Sequence, residues 1–570
     1  MKVVGISSPT FRIGDFSNKF KYTLSVIQQF SNPKELTLLV FPELFTTGYP
    51  PKDALYIDDF VSEQYNLMQK LSKALQEYPN VMLLVGAVEK DGNYLYNSAF
   101  LINSNSVKPI ARKRHLPNYD IFNEKRYFTP GDKPSILEFS DGVNTIRVGV
   151  SICEDLWIAN TIETLVANNA DIIVSLNASP YTRYKLLTIV NMLIYYESLY
   201  HIPILYVNWN GGQDEIIYSS KCFLRKDGKI YRDSVIEVRL DKNYINKRHS
   251  KFLKDKRIID GLHDFRGKCQ ITTIKVSNLY SNSKQQTNIS GKDSFVIHST
   301  EELVNAICLG IADYFRLNNL KNAVIGLSGG VDSTTVLFLL EESRKRYNLP
   351  ENIYAYFMPT QFTQKESYEV VNECQKLTQF TQYQQINIDS LFETMWSIFD
   401  KQKLPTNDHL VKIAKQNLQA RIRGLLLSTI SNMIPQSIVV ACGNKTEYAL
   451  GYATLYGDMV GGIAPLKDVY KTEVYEIGEY LKIPKLALER KPSAELDANQ
   501  SDESDLGFSY AEIDAILMSL IEDVYFKHCP DEIVNRLLAN EYKRRQSPIG
   551  FKLHESSFEN RQFPIAISLK

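Results

Sequence analysis

Three side chains in the first half of the chain could together form a nucleophilic site. Glu43, Lys113 and Cys153 each stand just past a predicted strand end. In such a set the thiol attacks an amide carbonyl, the carboxylate moves the proton and the ammonium stabilises the oxyanion. Each residue alone also fits an ordinary role, because an isolated cysteine at a strand end usually packs and Glu and Lys usually lie on the surface. The prediction of a site therefore rests on all three together.

A second candidate site lies in one glycine-rich stretch, Gly326-Leu327-Ser328-Gly329-Gly330-Val331-Asp332-Ser333. A β-branched run precedes it and a helical pattern follows it. A strand, a tight turn and a helix N-terminus bind anions, because backbone N–H groups point at the ligand and the helix dipole favours negative charge. Asp332 can also hold a cation that bridges phosphate oxygens. A plain turn with an N-cap is the alternative, but the flanking strand and helix favour phosphate binding.

Strands alternate with helices in the first half of the chain, and these elements must position Glu43, Lys113 and Cys153. Amphipathic helical stretches cover 19–30 and 64–75. Apolar strand-like runs cover 3–7, 36–41, 81–88, 146–152, 172–176 and 204–207. This alternation predicts an α/β domain.

The second half repeats the pattern around the glycine-rich stretch. Strand-like runs cover 323–326, 353–358 and 437–442, with helical segments between them. We expect a doubly wound parallel sheet, in which ligands sit at the carboxyl ends of the strands. Cys442 ends the third run and Glu447 follows it, so that Glu447 could join Asp332 on a magnesium ion.

Length and composition restrict the class of protein. At 570 residues the chain is too long for one core. Lys+Arg and Asp+Glu number 65 each, which gives no electrostatic reason to expect a nucleic-acid partner. No signal peptide or membrane-spanning run is visible, and seven scattered cysteines lack zinc spacing. We therefore expect a cytoplasmic protein with domains at 1–242 and 291–570 and a connecting segment at 243–290.

The first half resembles the nitrilase superfamily in the order and local context of its Glu, Lys and Cys. The resemblance implies an αββα sandwich that hydrolyses a C–N bond without a metal. It implies that Glu43 is the general base, Lys113 the oxyanion partner and Cys153 the nucleophile. The stretches FPELFTTGYP, HLPNYDIFNEKRYFTPG, SICEDLW, NASPY and NWNGGQDE are similar to the glutaminase domain of glutamine-dependent NAD synthetases.

That closer resemblance implies a glutamine site made by Tyr119, Ser179 and Lys185. Arg183 is near enough in sequence to compete with Lys185 for the substrate carboxylate. Glu124 either supports the three reactive residues or pairs with its neighbours Lys125 or Arg126.

The second half resembles the synthetase domain of the same family, in a fold of the adenine nucleotide alpha hydrolase type. QNLQARIRG, GNKTEYALGYATLYGDMVGGIAPLKDVYK, KPSAEL and NEYKRRQSP carry the likeness. It implies that Asn417, Glu447 and Lys543 contact deamido-NAD, and that the glycine-rich loop and Cys442 contact ATP. Asp332 and Glu447 would hold Mg²⁺, and Lys467 and Ser493 would contact phosphate. Gln361, Gln416 and Cys442 depart from the residues expected there, namely Arg, Glu and Thr.

Together the resemblances imply a two-site amidotransferase. Glutamine supplies ammonia at the first site, and deamido-NAD is adenylated by ATP and amidated to NAD at the second. Two alternatives remain open: amidation of another carboxylated nucleotide, and an ammonia-only synthetase carrying a non-catalytic nitrilase-like module. The expected partners are small molecules, without nucleic acid or membrane, and a homo-oligomer is expected.

Overall fold

The computed structural model describes most of the chain as two compact units. The described residues are 1–57, 59–218, 221–252, 258, 261–277, 279, 299–400, 402, 407–497, 502–522, 529–545 and 562–568. One unit comprises Met1–Ser299 and Ser556–Lys570, and the other comprises Thr300–Glu555. The boundary expected at residue 290 and the last three residues of the NEYKRRQSP motif lie outside the described residues, so the expected domain limits stay a prediction.

The first unit is built on two sheets. Its strands are β1 (Lys2–Ile6), β2 (Thr37–Val40), β3 (Val81–Asp91), β4 (Tyr94–Asn103), β5 (Ser106–Arg112), β6 (Ser135–Ser140), β7 (Thr145–Ile152), β8 (Ile172–Leu176), β9 (Ile204–Val207), β10 (Gly211–Gln213), β11 (Ile216–Tyr218), β12 (Cys222–Lys226), β13 (Lys229–Asp233), β14 (Val235–Arg239) and β15 (Gln270–Lys275). One sheet has the order β14-β1-β2-β3-β4-β5 and the other β13-β12-β9-β8-β7-β6-β15, while β10 and β11 form a separate ribbon.

Helices cover the outer face of each sheet. They are α1 (Phe16–Phe30), α2 (Phe60–Ala74), α3 (Ala159–Ala167) and α4 (Lys185–Tyr200), whereas Ile245 of a further helix, α5 (Lys242–Phe252), packs with the residues between the two sheets. Alternate side chains of β1 and β2 point to opposite faces: Val3 and Leu38 pack against residues of the second sheet, whereas Val4 and Leu39 pack with α1 and α2. Residues of α3 and α4 pack on the outer face of the second sheet. The predicted αββα sandwich is therefore confirmed.

The segment 562–568 also belongs to this unit. Ile567 forms an isolated parallel bridge with Ile13. The Asp214 carboxylate accepts backbone N–H bonds from Ile565 at 2.9 Å and Ala566 at 3.0 Å. The end of the chain therefore packs on the unit that contains its beginning.

The second unit has a parallel sheet with helices on both faces. Its strands are β16 (Asn322–Gly326), β17 (Asn352–Phe357), β18 (Thr381–Gln385) and β19 (Ser437–Val440), in the order β18-β17-β16-β19. Its helices are α6 (Ser299–Leu317), α7 (Val331–Tyr347), α8 (Lys365–Leu377), α9 (Asp389–Asp400), α10 (Asp408–Met433), α11 (Lys445–Leu450), α12 (Lys471–Leu481), α13 (Lys485–Glu489), α14 (Asp502–Leu506), α15 (Tyr510–Ile521), α16 (Asp531–Ala539) and α17 (Glu541–Arg544).

The strand order of the second unit changes direction between β16 and β19. Residues of α6, α7 and α12 pack on one face of the sheet, and residues of α10 pack on the other. The predicted doubly wound parallel sheet is thus confirmed. Ligands of such sheets bind where the order reverses, and the loops after β16 and β19 meet there. No helix among the described residues is long and apolar enough to cross a membrane.

Candidate active sites

The loop after β2 places Glu43 at the end of the first sheet. This loop packs directly on Gly86 of β3, where an added Cβ atom would overlap the backbone of Pro42 and Leu44. The Gly86 N–H donates to the Pro42 carbonyl at 3.1 Å, and its carbonyl accepts the Thr46 N–H at 3.1 Å. Glycine is therefore required at this position of β3 for the loop carrying Glu43 to lie against the strand.

Lys113 lies directly after β5 and pairs with two buried carboxylates. Its Nζ lies 2.7 Å from Oε1 of Glu43 and 2.8 Å from Oε1 of Glu124. Asn97 Nδ2 donates to the same Glu43 oxygen at 2.7 Å, and the Ala178 backbone N–H donates to Oε2 at 2.9 Å. Both Glu43 oxygens and the lysine are thus held without solvent, as a buried ion pair requires.

Cys153 lies next to this ion pair, where β7 passes into a 3₁₀ turn, Cys153–Leu156. Its φ of 45° is in the left-handed region, which costs energy for a residue with a side chain. Burial and the negative charge of Glu43 raise the pKa of the thiol, while the positive charge of Lys113 acts in the opposite direction. Burial therefore favours the protonated form of the thiol.

Glu124 is joined to the ion pair rather than to its neighbours in sequence. It accepts from Lys113, and the Tyr49 hydroxyl donates to the same oxygen at 2.8 Å. Burial raises the pKa of Glu124 to about 7, with the charge of Lys113 opposing and that of Glu43 adding to the rise. The sequence leaves two roles open for Glu124, support of the three reactive residues or pairing with Lys125 or Arg126. The structure contains the first, as a contact to Lys113.

Of the three residues expected to hold glutamine, Tyr119 and Lys185 contact the turn after Cys153 and the residue that ends it. The Tyr119 hydroxyl donates to Glu154 at 2.9 Å. The Lys185 ammonium lies 4.6 Å from the centroid of the Trp157 ring. Ser179 is buried directly after Ala178, whose N–H binds Glu43. The competing cation, Arg183, lies 5.6 Å from the Tyr184 ring.

The glycine-rich loop of the second unit joins β16 to α7. Gly329 has φ of 82°, and a Cβ there would lie 2.8 Å from the Ser367 carbonyl oxygen. The hydroxyls of Ser328 and Ser333 lie 3.0 Å apart, and the Gly330 N–H donates to Ser328 at 3.2 Å. The loop is therefore a closed turn held by its own side chains at the start of a helix.

A cavity of about 280 Å³ opens beside the loop. Its lining includes the loop residues Gly326–Ser328 and Gly330–Ser333, together with Arg423, Cys442, Glu447, Lys471 and Ser493. Cys442 Sγ lies 3.9 Å from the Gly326 carbonyl oxygen, and burial raises the pKa of this thiol. The cavity lies at the carboxyl ends of the parallel strands, where the sequence predicts a nucleotide site.

Asp332 and Glu447 meet at this cavity, although a lysine lies between them. The Lys471 ammonium forms ion pairs with both, at 3.3 Å for Glu447, and Asn444 Nδ2 donates to Asp332 at 2.8 Å. Burial and the charge of Asp332 raise the pKa of Glu447 to about 8. Within the described part of the chain, no cluster of three or more His, Cys, Asp or Glu is placed to hold a metal ion.

The other residues expected to contact deamido-NAD lie beside the segment 451–454. The Thr454 hydroxyl donates to Asn417 at 2.7 Å. The Lys543 ammonium donates to the Gly451 carbonyl at 2.6 Å and the Ala453 carbonyl at 3.0 Å. Among the described residues, the cavity lining contains Glu447 but neither Asn417 nor Lys543.

Four residues of these sites escape sequence reasoning: Asn97, Tyr49, Asn444 and Lys471. Asn97 lies in β4, next to a second polar residue, Ser98, and ahead of the apolar run 99–102, and Lys471 has the sequence context of an ordinary surface amine. Asn444 does carry a signal, since it begins an Asn-x-x-Glu capping box that the structure contains. Lys467, expected at phosphate, lies 5.7 Å from the Tyr448 ring.

Comparison with known proteins agrees with this architecture. The family described as carbon–nitrogen hydrolase matches residues 3–225, and the family described as NAD synthase matches residues 303–548. A nitrilase-like hydrolase joined to a synthetase with a phosphate-type loop defines a class, the carbon–nitrogen ligases that take nitrogen from an amide.

Full-length relatives identify the family within this class. The glutamine-dependent NAD(+) synthetase of Aquifex aeolicus is 33% identical over 580 residues, covering 96% of both chains. That of Thermotoga maritima is 32% identical, covering 96% of this chain and 95% of the relative. A structure of the glutamine-dependent NAD+ synthetase from Acinetobacter baumannii with ADP superposes with a TM-score of 0.73 at 28% identity, covering 99% and 98%. The chain belongs to the glutamine-dependent NAD(+) synthetase family and is a ligase with glutamine as nitrogen donor.

Proposed function

We propose that this enzyme makes ammonia at Cys153 and consumes it at an acyl-adenylate in the second unit. The glutaminase part of this proposal rests on one observation: the buried ion pair of Glu43 and Lys113 lies beside the Cys153 thiol at the end of β7. A solvent-free carboxylate, ammonium and thiol together supply a base, an oxyanion partner and a nucleophile. The synthetase part of the proposal is supported by the glycine-rich loop Gly326–Ser333, which lies beside the cavity.

In the glutaminase step, Cys153 Sγ attacks the side-chain amide carbon of glutamine while Glu43 takes the thiol proton. Lys113 stabilises the negative oxygen of the tetrahedral species. Glu43 returns the proton to the departing nitrogen, so that ammonia leaves and a thioester forms. Water, losing a proton to Glu43, then releases glutamate and the free thiol. Glu124 and Asn97 act as positioning residues, because they hold Lys113 and Glu43 respectively.

Glutamine is proposed to bind at the turn after the nucleophile. Tyr119 and Glu154 would hold its α-amino end, and Lys185 would face its carboxylate. Ser179 would lie along the substrate, next to the backbone that binds Glu43. Lys185 is preferred to Arg183 because its ammonium already lies over Trp157, four residues after Cys153.

In the synthetase step, the nicotinate carboxylate of deamido-NAD attacks the α-phosphorus of ATP, and the bond to pyrophosphate breaks. Ammonia then attacks the acyl carbon, AMP leaves and one proton is released, which gives NAD. The loop Gly326–Ser333 and Cys442 would contact ATP. Glu447, Asn417 and Lys543 would contact deamido-NAD, the last two from beside the segment 451–454, whose Tyr452 lines the cavity.

Mg²⁺ fits the two carboxylates at the cavity. Asp332 and Glu447 already converge on one cationic group, Lys471, and hard carboxylate oxygens are the ligands that Mg²⁺ prefers beside phosphates. When bound, the ion would neutralise phosphate charge. The homo-oligomer, the cytoplasmic location and the absence of a nucleic-acid partner stay predictions.

The test is to supply nitrogen in two forms to the variant Cys153→Ala. With glutamine, NAD formation should fall by at least about a hundredfold, since no nucleophile remains. With added ammonium chloride, NAD formation should match that of the wild type. Cys269→Ala, a half-buried cysteine of the same unit, is the matched control and should keep both activities.

Each of the following results would contradict one part of the proposed function. Equal loss with both nitrogen sources would refute the division of labour between the units. Full glutamine-dependent activity in Cys153→Ala would refute the thioester. Release of ADP and phosphate, in place of AMP and pyrophosphate, would refute adenylation.

A further inference from the structure

A buried lysine lies where the proposed cation site should accept its metal. The Lys471 ammonium forms an ion pair with Oδ2 of Asp332 and lies 3.3 Å from Oε1 of Glu447. Its side chain is only 2% exposed. The two carboxylates that would bind a divalent cation are therefore already neutralised in part by a group of the protein.

The surroundings hold this lysine in place. Lys471 is the first residue of α12, and its backbone N–H donates to the Thr446 hydroxyl at 2.9 Å. Its ammonium lies 5.0 Å from the Tyr510 ring, a distance at which a cation is attracted to the aromatic face. Asn444 occupies the other oxygen of Asp332 at 2.8 Å. The ammonium is thus a fixed part of the site.

The charge of the proposed cation site determines which ions can bind there. When both carboxylates are ionised they carry a charge of −2, and the ammonium reduces it to −1. A divalent cation arriving alone would meet a fixed positive charge at the point where it must bind, and because the Lys471 side chain is only 2% exposed, solvent screens this repulsion little. A nucleotide polyphosphate brings negative charge and further oxygen ligands, which Mg²⁺ normally takes in addition to one or two carboxylates.

We propose that Lys471 is the resident counter-ion of the cation site, so that the site accepts a divalent cation only together with a nucleotide. The inference rests on the proposed binding of the metal by Asp332 and Glu447. Lys471 is a positioning residue in this role: it keeps the two carboxylates together until the metal and the nucleotide arrive. An ion pair with a purely structural role would leave the order of metal and nucleotide binding unaffected.

The experiment uses Mn²⁺ as the probe, because its free aqua ion is counted directly by electron paramagnetic resonance. Full-length wild type, Lys471→Met and Lys471→Arg are titrated with Mn²⁺, without nucleotide and with α,β-methylene-ATP. Without nucleotide, we expect Lys471→Met to bind one Mn²⁺ per chain at least about tenfold more tightly than the wild type. Lys471→Arg, which keeps the charge, should behave as the wild type. The additional change Glu447→Gln should remove the site gained by Lys471→Met.

The outcomes separate this inference from the proposed function. If the wild type without nucleotide binds Mn²⁺ as tightly as Lys471→Met, the counter-ion role is wrong although the metal site stands. If Glu447→Gln leaves nucleotide-dependent Mn²⁺ binding unchanged, the proposed metal site itself is wrong. Should Lys471→Met not fold, the wild type decides: Mn²⁺ bound at one site per chain without nucleotide overturns the inference, and binding only with nucleotide supports it.

Discussion

Lys113 Nζ lies 2.7 Å from Oε1 of Glu43, and neither side chain is exposed to solvent. A second carboxylate, Glu124, shares the same ammonium at 2.8 Å. One cation thus holds two buried anions beside the thiol of Cys153. Because this arrangement is costly to disturb, it makes the first unit sensitive to single substitutions.

Lys113→Met should destabilise the first unit strongly. It leaves Glu43 and Glu124 buried near each other without a cation, which costs about 3–5 kcal/mol when one partner of a buried pair is removed. Urea denaturation followed by tryptophan fluorescence measures the change, because Trp209 lies at the site, with its indole N–H donating to the Glu43 backbone carbonyl at 3.0 Å; Trp396→Phe in every variant removes the signal of the second unit. The double variant Lys113→Met/Glu124→Gln should recover part of the loss. A loss below about 1 kcal/mol would mean that the pair is solvated in solution.

Glu124 should make the first unit less stable as pH rises from about 4.5 to 7. Its pKa is raised by burial from the ordinary 4.5 to about 7, so the folded state binds the proton more tightly than the unfolded state. That contribution is fully present below pH 4.5 and is lost as pH rises through 7, by about 1–3 kcal/mol. The measurement is the free energy of unfolding of wild type minus that of Glu124→Gln at several pH values. A difference that stays flat with pH would contradict the prediction.

Lys19→Met should stabilise the first unit at neutral pH. Lys19 Nζ is buried in α1 without a hydrogen-bond partner among the described residues, and burial lowers its pKa to about 7. The unfolded state therefore binds the proton more tightly, and wild-type stability rises with pH between 7 and 10.5. The gain in Lys19→Met should be about 1–4 kcal/mol at pH 7 and shrink towards pH 10.5. Thermal unfolding across this pH range measures it, with the exposed Lys21→Met of the same helix as a control that should change little.

The parts of the fold that sequence predicts are those buried on both faces. The runs at 172–176 and 204–207 are found with their observed ends because central strands covered on both sides are apolar throughout. Strand β13 has no buried residue, and β5 has only two, Ile110 and Ala111, which follow two exposed positions, so neither forms a continuous apolar run. Their positions follow from pairing with partner strands, which a local pattern does not contain.

The residues of the candidate sites also differ in how far the sequence predicts them. Glu43, Lys113 and Cys153 are detectable because each follows a strand and the order of the three matches a known set. Asn97 and Lys471 are brought in by tertiary packing from a strand and a helix whose sequences carry no local signal. The bridge between Ile13 and Ile567 is likewise made by backbone groups, which every residue possesses.

Gly329→Ala should damage the loop of the second unit, whereas Gly330→Ala should leave its stability nearly unchanged. Gly329 has φ of 82°, and its Cβ would lie 2.8 Å from the Ser367 carbonyl oxygen, so the variant meets both backbone strain and a clash. We expect a loss of about 1–3 kcal/mol in the stability of this unit and a higher KM for ATP. Gly330 has φ of −74°, and the nearest atom to its Cβ is Ser328 Oγ at 3.4 Å, an ordinary contact.

Thermal unfolding and ammonia-dependent NAD formation measure the two glycine variants side by side. Because the strain is confined to the second unit, hydrolysis of glutamine by Gly329→Ala, assayed without ATP, should match that of the wild type. Equal stability of the two variants would show that the loop can relax around Ser367. The shape of the loop would then be set by the ligand that it binds, since the turn itself would not require glycine at 329.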